Sequence, residues 1–310
     1  MDRLFSQFQP EHYDIQWDLR QAKSKRLIRG TATIRGQHLA AEPIRLHAKD
    51  LQIEEATVNG QVVKTSTDND ILTFDNTDNG PAQITIKFSL TLTDAMHGIY
   101  PCYYEHQGQK RELYATQFES HHAREAFPCV DEPEAKATFA ISILSNEPVV
   151  LSNMPIVSQQ ESSEGTLTAF EQTPRMSTYL AAFVAGDLQR TTTATKSGVE
   201  VNVYATPAQS AGSLNWALQH AAQTIDFFNE YFGVPYPLPK SDHVALPDFS
   251  SGAMENWGLV TYRETALLAD PATASVSTRQ YIATVIAHEL SHQWFGNLVT
   301  MKWWNNLWLN

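Results

Sequence analysis

Two cysteines in 310 residues, Cys102 and Cys129, are too few for a disulfide scaffold, so the fold must rest on its core, and a reducing compartment fits. No apolar run reaches the ~18 residues of a membrane span. Met1 to Pro10 lacks the apolar centre of an export signal. The chain therefore reads as cytoplasmic, with no membrane partner. Positive charge is scarce as well: 22 Lys and Arg face 34 Asp and Glu, leaving a formal charge of -12. That balance excludes the basic surface of a nucleic-acid binder and suits ligands that carry a positive amine. Repeats and low-complexity segments are missing too, which excludes a solenoid.

What remains is a 42% hydrophobic chain, enough for a core in each of about two domains. Apolar residues alternate at Tyr13, Ile15, Trp17 and Leu19, and again at Ile84, Ile86, Phe88, Leu90 and Leu92, the mark of half-buried strands. Shorter strands are expected at 27–34, 44–48, 51–58, 112–118, 137–144, 149–151, 167–170 and 178–184, with Asn59-Gly60 turning a hairpin into Val62-Val63. Strands at this density predict a β sandwich over 1–190. A threonine-rich run, 191–198, reads as a linker. Beyond it, 191–310 mixes strands at 199–205, 244–246 and 259–262 with a helix through Leu214, Leu218, Ile225 and Phe232 that Gly233 ends, an α+β pattern.

Residues 277–310 carry the chemistry. His288-Glu289-Leu290-Ser291-His292 places two histidines four apart, on one helix face, so that both imidazoles reach a single ion. Glu289 then lies beside the ion rather than on it, the layout of a metal that acidifies water and a separate carboxylate that takes its proton. Ser277 with Gln280 predicts the helix start, and Gly296-Asn297 its stop. Tyr281, Ile282, Val285, Ile286, Leu290, Trp294, Phe295 and Leu298 cover nearly every face, predicting a helix buried all round. His121 and His122 are adjacent; on a strand they would face opposite ways and share no metal.

HELSHQWFGNLV, GAMENWG, TQFESHHAREAFPCVDEP, YFGVPYPLPKSDHVALPDFS and MSTYLAAFVAGDL together resemble the zinc aminopeptidase N family, nearest to its bacterial members from lactic-acid-type organisms. The resemblance runs along the whole chain. It implies a multidomain β and α+β fold, an N-terminal β saddle domain followed by the beginning of a thermolysin-like catalytic domain. It further implies one zinc ion on His288 and His292, Glu289 as general base, and peptide substrates with a free N-terminus. Glu255 and Glu119, the latter within Gln117-Phe118-Glu119, match residues that grip the substrate ammonium. Gly252 and Ala253 expose backbone to a substrate strand. Met254 is either pocket wall or a contact to the first side chain, and Asn256 either shapes the loop or binds substrate backbone. Tyr236 and Arg263 read as structural.

In the family, the run that ends here in Trp303-Trp304-Asn305-Asn306-Leu307-Trp308-Leu309-Asn310 leads directly to a glutamate that is the third zinc ligand, and Asn306 stands where relatives often have Asp. A chain that stops at Asn310 is therefore expected to hold zinc weakly or not at all and to be inactive by itself. Trp303, Trp304, Leu307 and Trp308 are expected to lack packing partners, favouring self-association. The competing readings are a non-catalytic peptide-binding or scaffold relative with the same fold, and a structural β module without a site.

Overall fold

The computed structural model describes residues 3–310. In the first strand, Phe8–Asp18, alternation sends Tyr13, Ile15 and Trp17 into the core while Asp14 and Gln16 face solvent. This strand pairs antiparallel with Leu27–His38 and parallel with Thr138–Ser145. They lie at the middle of an eight-stranded sheet ordered Ile156–Ser162, Gly165–Phe170, Thr138–Ser145, Phe8–Asp18, Leu27–His38, Gly80–Thr91, Gln52–Val58, Gln61–Val62. The last two strands form the expected hairpin around Asn59 and Gly60.

A four-stranded sheet (Val149–Ser152, Phe183–Gly186, Gln109–Gln117, Gly98–His106) and a three-stranded one (Arg45–His47, Ile71–Phe74, Thr65–Asp68) complete this β region. The large sheet meets the four-stranded one where Trp17 lies 5.3 Å from Phe183; within the large sheet Tyr13 stacks on Phe139 at 4.9 Å, and Phe127, from the loop between, sits 5.9 Å from Trp17. Two strand expectations need correction here. Thr178–Leu180 is a 3-10 turn, and the strand expected at 178–184 begins only at Phe183. Gly98–His106 was not foreseen, because Gly98 to Cys102 are buried without alternation and include Pro101.

The run expected as a linker is also a strand. Gln189–Ala194 forms one edge of a five-stranded sheet, since β-branched threonines tolerate an edge whose one face is wet. The order continues Glu200–Ala205, Lys240–Leu246, Leu259–Arg263, Ala253–Met254. Lys240–Leu246 is buried along its whole length because parallel strands flank it on both sides. Helix Asn215–Phe232 stops at Gly233, whose φ of 64° is left-handed. Its aromatic end, Phe228 and Phe232, meets Trp294 just past the motif helix.

The motif helix spans Val276–Ser291, and its cap is Ser275, whose side chain accepts from the amide of Thr278. The expected Ser277 start is therefore two residues late. Nor does the helix run to Gly296: it ends at Ser291, with His292 as its cap. Burial is one-sided rather than all round. Ile282, Ile286, Glu289 and Leu290 are buried, whereas Val276, Tyr281, Phe295 and Leu298 are exposed. Leu307 and Trp308 are likewise exposed. Trp303 and Trp304, contrary to expectation, have partners: the Arg3 guanidinium sits 4.2 Å over the Trp303 ring, and Trp304 meets Tyr179 edge-on at 5.2 Å.

Candidate active site

Helical spacing brings the two imidazoles together. His288 Nε2 and His292 Nε2 are 3.0 Å apart, with the rings nearly perpendicular. His292 Nδ1 faces the Phe295 carbonyl at 3.1 Å and donates to it, which leaves the Nε2 lone pair free toward His288. Burial lowers the pKa of both rings, so they stay neutral, the state a metal requires. Two neutral ring nitrogens facing each other at this distance fit a shared ion.

Three carboxylates converge on the same place. Glu289 is buried, and burial, then Glu255 and Glu119, push it up to about 9. Glu119 rises to about 7 through burial and then the charge of Glu255. Glu255 is almost fully buried and is also raised, chiefly by burial. Ligand atoms of Glu255, Glu289 and His292 lie within 4.8 Å of one another. Carboxylates crowded out of water in this way create a demand for positive charge.

Each acid arrives on a different element. Glu289 rides the motif helix. Glu119 follows Gln109–Gln117 as that strand ends and the chain turns, with the His122 amide bonded to the Phe118 carbonyl at 2.8 Å. Gln117 is buried and its Oε1 has no hydrogen-bond partner. Glu255 follows the edge strand Ala253–Met254, which among the described residues pairs with Leu259–Arg263 alone. Ala253–Met254 thus ends the sheet, and among the described residues no strand pairs with its other side. Around Gly252 there is space, since a Cβ built there would meet only the Tyr281 hydroxyl, at 3.9 Å. Met254 is buried against the sheet. Asn256 donates from Nδ2 to Thr261 Oγ1 at 3.1 Å, holding the loop, while its Oδ1 is buried and unpartnered. Tyr236 and Arg263 serve the backbone, through bonds to the carbonyls of Lys240 and of Phe249 and Ser250.

Several supporting residues escaped sequence reasoning. Gln293 and Asn297, both fully buried, hold the Glu255 carbonyl from 3.4 and 2.9 Å. Their signal was available: two amides four apart within an otherwise apolar run. Lys136, from the β region, binds the carbonyls of Asn297 and Leu298. Tyr179 bonds the Gly296 carbonyl at 3.3 Å. Asn153 donates to the Trp257 carbonyl at 2.8 Å, and Lys240 Nζ binds the carbonyls of Ser152 and Gly258 and the carboxylate of Asp242. His121 and His122 lie on a turn rather than a strand. Their rings stack at 4.8 Å, but His121 pairs with Ser120 and His122 with Glu125.

Residues 9–180 match the peptidase M1 N-terminal domain and residues 216–310 the peptidase family M1 domain. The chain is 47% identical over 313 residues to aminopeptidase N of Lactobacillus delbrueckii subsp. lactis and 49% identical over 314 residues to aminopeptidase N of Lactococcus lactis subsp. lactis. Each match covers 99% of this chain and 36% of the relative. Aminopeptidase M1 of Arabidopsis thaliana is 49% identical over 232 residues, 74% of this chain and 26% of the relative. The chain thus spans 36% of the length of the bacterial relatives it matches.

Proposed function

This chain belongs to peptidase family M1, and on that premise we propose that it carries the metal-binding and amine-binding core of a zinc aminopeptidase that removes N-terminal residues from peptides. The observation that carries this reading is the convergence of Glu119, Glu255 and Glu289 beside His288 and His292. One zinc ion on the two imidazoles would supply Lewis acidity to a water and to the scissile carbonyl.

The remaining steps belong to side chains of this chain. Glu289 takes the proton of the attacking water at a carboxylate oxygen and delivers it to the departing amine; a bound metal ion and the substrate ammonium would offset the burial and the acidic neighbours that raise it, and so keep it ionised for that role. Glu119 and Glu255 bind the substrate ammonium, whose charge relieves the mutual repulsion that raises Glu119. An extended substrate lies along Ala253–Met254 as a further strand, with the unpartnered Gln117 Oε1 and Asn256 Oδ1 as acceptors for its N–H groups. A ligand atom of Glu255 lies within 4.8 Å of one of His292, so an ammonium held by Glu255 would leave room for a single residue before the metal and set the cut after it. Two free, buried cysteines favour a cytoplasmic setting. Among the described residues no helix is long and apolar enough to cross a membrane.

The test compares amino-acid anilides with their N-acetylated counterparts, using a protein that carries these residues within the full length of the relatives. Metal-dependent hydrolysis of the free amines alone is expected. Equal hydrolysis of the blocked substrates would refute the ammonium assignment.

A further inference from the structure

A second group of metal-ligating side chains shares no residue with the histidines and acids of the site above. His97 Nδ1 is 2.6 Å from Glu125 Oε2, and His122 Nδ1 is 3.0 Å from Glu125 Oε1. The two rings stack with centroids 4.1 Å apart, so both Nδ1 atoms point the same way, at one carboxylate. All three ligand atoms lie within 4.8 Å of one another. The residues are partly buried, with side-chain exposures of 36%, 21% and 11% for His97, His122 and Glu125. His97 and Glu125 line a cavity of about 270 Å³ together with Asp50 and Thr91.

The geometry points to a second divalent-cation site, formed by His97, His122 and Glu125, that takes a borderline transition metal such as Zn²⁺, Co²⁺ or Ni²⁺. Two imidazoles and one carboxylate form the donor set these ions favour, while Mg²⁺ and Ca²⁺ prefer all-oxygen sites. Ligands about 2.0–2.2 Å from one ion stand roughly 3.3 Å from each other in a tetrahedron, so the present gaps need only a small opening. Binding replaces the Nδ1 protons that now bridge to Glu125, and the cavity leaves room for a water as fourth ligand. Lys49 works against the ion: its ammonium sits 2.9 Å from Glu125 Oε1.

This site is independent of the aminopeptidase reading, and its test is separate from activity. Metal-free protein titrated calorimetrically with ZnCl₂ is expected to show an event that survives His292→Ala and is lost, or weakened at least roughly thirtyfold, in His122→Ala and in His97→Ala. Lys49→Gln is expected to tighten the same event roughly tenfold by removing a nearby like charge. An event absent from the His292→Ala protein, or one unmoved by both His97→Ala and His122→Ala, would overturn the proposal. Footprinting of the unaltered chain needs no variant: Zn²⁺ should protect His97 and His122 from diethyl pyrocarbonate, and equal modification with and without metal would refute the site.

Discussion

Asn297 donates its side-chain amide to the backbone carbonyl of Glu255 at 2.9 Å. The loop that carries Glu255 is thus suspended from the turn that follows His288 and His292. Asn297→Ala leaves that buried carbonyl with only the longer bond from Gln293. The expected loss is about 1–3 kcal/mol of stability, read by urea denaturation, with weaker binding of free-amine inhibitors. Unchanged values for both would show that the loop holds itself.

Glu289→Gln keeps the shape of the side chain and removes its basicity. Turnover of a free-amine anilide should fall roughly 10³-fold while zinc content stays constant. Retained turnover would remove Glu289 from the role of base.

For Glu119→Gln and Glu255→Gln the expected change lies in substrate binding. A charge-assisted hydrogen bond to an ammonium is worth about 1.5–3 kcal/mol, so KM for free-amine substrates should rise roughly 10–150-fold. Discrimination against N-acetylated substrates should shrink in step. Kinetics on matched pairs of substrates would expose a change confined to kcat, which contradicts the assignment.

Gly258 has φ of 79°, and a Cβ placed there would lie 2.2 Å from the Asn153 carbonyl oxygen. Gly258→Ala therefore combines a strained backbone with a clash where the loop meets the β region. A loss above about 2 kcal/mol is expected in equilibrium denaturation. Gly60→Ala, also at positive φ but in open space, is the control and should cost less.

His47 and His243 are both depressed to about 3, by burial first and then by Arg124 and Lys240 respectively. Above 6.5 neither folded nor unfolded chain protonates them. Below 6.5 the unfolded chain binds protons that the folded chain refuses, so each histidine costs stability as the pH falls from 6.5 toward 3. At pH 5 the cost is on the order of 2 kcal/mol per histidine. Glu119 and Glu289, raised rather than lowered, act in the opposite sense, so the effect is read as a difference. On moving from pH 7.5 to pH 5, His47→Asn should gain about 2 kcal/mol relative to the unaltered chain. Parallel pH curves for the two proteins would refute it.

Alternation exposed the first strand because every second side chain, Tyr13, Ile15 and Trp17, enters one core. It could not expose Gly98–His106, whose buried residues are consecutive, and 191–198 read as a linker, although its first four residues belong to the edge strand Gln189–Ala194, because an edge strand of threonines has no apolar face. The motif helix was legible as a helix. Its one-sided burial was not, since apolar content alone does not say which residues a neighbouring element covers. Within the site, the histidines and acids stood out because their letters name titratable, metal-ligating side chains at a helical spacing. Asn297, Lys136 and Asn153 act through backbone carbonyls, and a carbonyl has no letter in the sequence.

Glu119 enters from the β region, whereas Glu255 and Glu289 enter from the mixed region, and Lys240, Asn153 and Lys136 fasten the two at the seam. The acidic cluster is therefore not a module that either region carries alone. A chimera that joins one relative's first half to another's second half would inherit its specificity from the fit between them, and recombination within this family should succeed only where both sides of the seam travel together.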